Sequence, residues 1–140
     1  MRKELRQRLA TEYRYAVTRM QEGKSAEKKL FYFSVFFGEA QRVLNFEWDR
    51  DLALIFWVTQ QVHTQMNTTL QTGLYKALPL DASVIYEQLT NAASDLAACF
   101  ETEDETDKEE LCRVLGRLAE VNYVGTGNGS YLYEKGLIKF

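Results

Sequence analysis

The chain has 140 residues, of which 46% are hydrophobic, 26% charged and 13% aromatic, with one Pro, one His, two Cys and a net charge of −3. That size and apolar content suit one packed core and exclude disorder as the general state. One imidazole and two thiols exclude a multi-histidine metal centre, a four-thiolate zinc site and a disulfide scaffold, and the acidic total makes no electrostatic case for nucleic acid.

The first residues, Met1-Arg2-Lys3-Glu4-Leu5-Arg6-Gln7-Arg8, are basic with no apolar run behind them, so no secretory signal is expected. No apolar stretch approaches the ~20 residues that span a bilayer. A cytoplasmic setting is the resulting expectation, with Cys99 and Cys112, which lack CxxC spacing, as reduced thiols.

Apolar spacing is helical over most of the chain. The first predicted helix, about residues 2–22, aligns Leu5, Leu9, Tyr13, Ala16, Val17 and Met20, and Gly23 interrupts it. Ser25 opens a second, about 26–46, with Leu30, Phe33, Phe37, Ala40 and Leu44 on one stripe and Phe31, Val35, Phe36 and Val43 on another. A helix apolar on two sides is either central in its own bundle or shared with another chain. The break falls at Asn45-Phe46-Glu47-Trp48-Asp49, with Asn45 or Asp49 as cap, unless the helix runs straight through. A third helix, about 50–77, uses Leu52, Ile55, Phe56, Val62, Met66, Leu70 and Leu74 and ends before Pro79. Asp81 caps a fourth, about 82–100, along Ile85, Leu89, Ala92, Leu96 and Cys99. An acidic turn follows, and Thr106 with Glu109 forms a capping box for a fifth helix through Leu111, Val114, Leu115, Leu118 and Val121 that stops at Gly125. The expected fold is an all-α antiparallel bundle of about five helices over residues 1–124. A Gly-rich hinge and an aromatic tail, extended or hairpin-like, complete the same domain over 125–140.

Charge is uneven along the chain. Residues 1–30 carry nine Lys/Arg against four Asp/Glu, and residues 81–110 carry ten Asp/Glu against Lys108 alone. Three readings follow: a solvated helix face, complementarity between the basic helix and the acidic turn within or between chains, and phosphate contacts through Arg2, Lys3, Arg6, Arg8, Arg14 and Arg19. Nucleic acid ranks last because a basic end is not a basic domain.

His63 has Thr59 and Asn67 one turn away on either side, and Glu39 on the preceding helix approaches it if the two run antiparallel. These four residues are the candidate pocket. Neither HExxH nor paired ExxH is present, so no metal and no cofactor is expected there. The glycines at 125–129 follow a helix rather than precede one, which turns the negative end of the dipole toward them and disfavours phosphate. Asp49 and Asp51 diverge at i, i+2, and the acidic turn lacks the glycine and terminal glutamate of a calcium loop. With no catalytic constellation, the expected function is a non-catalytic, self-associating interaction module, a homodimer being favoured. Its contact residues would be Phe31, Phe36, Tyr131, Tyr133 and Phe140, with a protein partner as a further expectation. A ligand-binding or enzymatic pocket at His63 is the alternative.

Overall fold

The computed structural model describes every residue except Pro79, Asp104, Asn128, Gly129 and Phe140, and the side chains of all the others except Ser130 and Tyr131. It is all-helical: α1 (Lys3–Glu22), α2 (Ala26–Leu44), α3 (Arg50–Gln71), a 3₁₀ turn (Leu74–Ala77), α4 (Ala82–Ala98), α5 (Lys108–Gly125) and the short α6 (Ser130–Glu134). No helix of the described residues is long and apolar enough to cross a membrane.

The helix starts follow from side-chain capping of orphan N–H groups. Ser25 accepts from the Lys28 N–H at 3.2 Å and Asp49 from the Leu52 N–H at 2.9 Å. Asp81 accepts from the Ser83 N–H at 2.8 Å. At α5 the cap is Asp107, which accepts from the N–H groups of Glu109 and Glu110, rather than the expected Thr106. Thr106 is drawn away, because its hydroxyl donates to the Cys99 carbonyl at 3.2 Å and accepts from Arg6 at 2.6 Å. The third helix stops six residues earlier than its apolar pattern predicts. Gly73 takes φ 77° and the chain continues as the 3₁₀ turn.

Packing joins the helices in the cyclic order α1, α2, α3, α5, α4. Arg14 meets Ser94 while Arg6 meets Cys99 and Thr102, so α1 and α4 run antiparallel. Asn122 meets Gln65 and Gly125 approaches Met66, while Leu52 and Leu111 line one cleft near the starts of their helices, so α3 and α5 run parallel. A closed ring of five helices must contain at least one parallel neighbour pair, and the longer α3–α4 connection allows this one.

The enclosed core takes Leu9, Tyr13 and Met20 from α1, Leu30, Phe33 and Phe36 from α2, Leu52, Ile55 and Met66 from α3, Ile85, Leu89 and Leu96 from α4, and Leu118 and Val121 from α5. Tyr13 donates its hydroxyl to the Phe36 carbonyl at 2.9 Å, and its ring centroid lies 4.5 Å from Phe36 and 5.5 Å from Phe100. Burial, with a smaller push from Glu39, raises the Tyr13 phenol well above its ordinary range.

The expectation for the tail needs correction. The tail is not extended: α6 occupies Ser130–Glu134, and a turn beyond it lets the Leu137 N–H donate to the Leu132 carbonyl at 2.8 Å. Apolar residues on either side of Lys135-Gly136 fit an extended pair only where the two arms supply each other's ladder partners. Without them, the backbone meets its own needs in a helical turn. The fifth helix ends at Gly125 as expected, where an added Cβ would stand 2.9 Å from Ile85 Cγ2. The left-handed glycine of the cap stands two residues on, at Gly127 with φ 87°.

Candidate functional site

The residues expected to form a pocket at His63 are not gathered into one. Thr59 is fully buried and its hydroxyl donates to the Ile55 carbonyl at 2.6 Å, as a mid-helix threonine does when it has no other partner. His63 is half-buried with its ring 5.2 Å from that of Phe37, and burial alone depresses its pKa. No carboxylate among the described residues contributes to that shift. Glu39 faces α1, where Oε2 accepts from Arg8 Nε at 3.2 Å and Oε1 accepts from Arg42 Nη1 at 3.0 Å. Asn67 is half-buried one turn beyond His63. Among the described residues no group of three or more His, Cys, Asp or Glu is placed to hold a metal ion.

The expected contact residues separate as well. Phe31 is 68% exposed, whereas Phe36 is fully buried between Tyr13 and Phe33. Five helical positions turn a side chain by about 140°, so the two cannot share a face. Phe36 therefore has no area to offer a second chain. Tyr133 is half-buried on α6. The Tyr131 side chain and Phe140 lie outside the described residues.

The basic first helix is engaged within the chain. Arg6 donates to the Cys99 carbonyl at 2.7 Å and to Thr106. Arg14 pairs with Glu101 and Arg2 with Glu47, whose carboxyl is held below its usual range chiefly by that hydrogen bond. Arg19 pairs with Glu22. Burial raises the Cys99 thiol, and Cys112 is an exposed thiol.

The outer face of α3 differs from every surface so far described. Arg50, Leu54, Trp57, Gln61, Thr64, Thr68 and Gln71 are all exposed, and their spacing alternates four and three residues. That is a heptad stripe, running opposite the buried row of Leu52, Ile55, Thr59, Val62 and Met66. Leu54 is 49% and Trp57 62% exposed, and Trp48, in the turn just before α3, is 76% exposed. Residues 52–75 contain no Asp, Glu, Lys or Arg, so the stripe carries one charge, Arg50, at its end. Charge depletion and an exposed Trp are features that interface cores share. The chain matches no family model, no curated protein and no solved structure.

Helical periodicity, used to find the buried row, passes over the exposed one because Thr and Gln do not register as apolar. The usable signal was the uninterrupted absence of charge across residues 52–75 in a chain that is 26% charged.

Proposed function

We propose that this chain is a non-catalytic module that self-associates through the outer face of α3, with Leu54 and Trp57 at the contact. The supporting observation is the exposed, nearly uncharged heptad stripe. Its composition also favours a second copy over a charged partner. The chain has a net charge of −3, so an uncharged face lets two copies meet without adding local repulsion. Antiparallel docking about a two-fold axis places the two Arg50 residues at opposite ends of a helix that is 22 residues long, about 33 Å. Two free cysteines support a reducing, cytoplasmic setting. The pairing of the α1 arginines within the chain argues against phosphate contacts as their purpose.

Light scattering on wild type, Trp57→Glu and Phe31→Glu tests this. The expected result is a dimer for wild type and Phe31→Glu, and a folded monomer for Trp57→Glu. A monomeric wild type, or a dimer that survives Trp57→Glu, overturns it. A dimer lost only in Phe31→Glu moves the contact to α2.

A further inference from the structure

We propose that the cleft between α1 and the C-terminal end of α2 binds a small organic carboxylate carrying an apolar body. The cleft has a volume of about 200 Å³ and is lined by Leu5, Arg8, Arg42, Val43, Asn45 and Phe46. Glu39, only 7% exposed, does not line the cleft but holds its two arginines, its two carboxylate oxygens being divided between Arg8 and Arg42.

The stoichiometry carries the argument. One buried carboxylate is satisfied by one bidentate guanidinium, yet two arginines share it here, each through a single nitrogen. A guanidinium has five N–H donors, and among the described residues Arg8 and Arg42 each use one of them on Glu39. Both side chains reach solvent, at 51% and 66% exposure, and Glu39 fixes them at one end. Two positive groups over one negative leave a surplus of +1, which matches a monoanion better than a dianionic phosphate. Glu4 and Glu12, one turn either side of Arg8, form no ion pair with it among the described residues, and Glu47 is held by Arg2. The remaining wall is apolar: Leu5, Val43 and Phe46, the last 76% exposed. Paired forks beside an aromatic ring select an oxyanion on an apolar body, and the volume limits that body to a single ring or a short alkyl chain. The α3 contact plays no part in this, so the two proposals stand or fall separately.

Hydrocinnamate, its neutral amide and inorganic phosphate, each titrated into the full chain and followed by ¹H–¹⁵N NMR, provide the test. Hydrocinnamate is expected to shift the amides of Leu5, Arg8 and residues 42–46 saturably, with a Kd on the order of 1 mM for a ligand of its size. The amide and phosphate should bind at least about tenfold more weakly, the amide because it lacks charge and phosphate because it leaves the apolar wall uncovered. Arg42→Gln should weaken hydrocinnamate about tenfold, and Arg8 still pairs Glu39 in that variant. Glu39→Gln should tighten it, because it releases both guanidiniums and raises the surplus charge; a purely structural triad would show no gain. Equal binding of the amide, phosphate as tight as hydrocinnamate, no saturable shift, or affinity unchanged in both variants overturns the proposal.

Discussion

Phe36 and Trp57 stand on adjacent helices, and their surroundings are opposite. Phe36 is enclosed by the rings of Tyr13 and Phe33, and its carbonyl accepts the Tyr13 hydroxyl. Trp57 is 62% exposed, with the Phe56 ring centroid 6.4 Å away. The core closes without Trp57. Large aromatic area that folding leaves in water is the kind of surface that association removes from it. One group of aromatics therefore accounts for stability, and the other is the area that the proposed self-association would cover.

The sharpest way to break that division is to truncate one residue from each group. Phe36→Ala should cost about 3–5 kcal/mol in urea unfolding, through lost burial and the cavity left behind. Phe31→Ala should stay within about 0.5 kcal/mol, as exposed substitutions do. Similar losses at the two positions would dissolve the distinction.

Two glycines sharpen it next. A Cβ on Gly125 meets Ile85 Cγ2 at 2.9 Å and Met66 Cε at 3.3 Å, so Gly125→Val should overpack the α3–α4–α5 junction at a cost of about 1–3 kcal/mol. A Cβ on Gly38 meets nothing within 4 Å, so Gly38→Ala should stabilise α2 by about 0.5–1 kcal/mol. Thermal melts of both variants check the opposite signs.

Five helices and the caps Ser25, Asp49 and Asp81 were legible in the sequence because both signals are local. The rotation of each helix about its axis was not. Phe36 and Phe37 fit a 3.6-residue stripe with Phe33 equally well, and only the placement of α1 decides that Phe36 turns inward while Phe37 meets His63. The same rotation carries Glu39 away from His63 and toward Arg8, which lies 31 residues earlier. A buried glutamate reads as an error in an apolar stripe until both of its arginines are in place. The reversed fate of the tail has another cause: strand and helix compete within α6, only five residues long, and local periodicity is too short to decide between them.

His63 gives a smaller effect, at the seam where the buried and exposed groups meet. Burial beside Phe37 holds its pKa below the ~6.5 of an unfolded chain, so the folded state prefers the neutral ring. Its contribution is complete above that unfolded pKa and is lost as pH falls through the lower folded value. Unfolding free energy should therefore decline from pH 8 to pH 5 in wild type. His63→Gln should flatten part of that decline, and identical profiles would place the imidazole in water.

The smallest change in monomer stability is expected at Trp57, where the change in assembly is largest. Trp57→Gln removes exposed ring area and adds no charge, so at low concentration its unfolding free energy should match wild type within about 0.5 kcal/mol. A dimer is stabilised by mass action, so the wild-type Tm should rise with protein concentration. The variant's Tm should not. A variant that melts early at every concentration would instead make Trp57 part of the core, and its 62% exposure would no longer mark a surface kept for a second chain. Parallel rises in both proteins would leave the dimer intact without the indole and transfer the contact to another face.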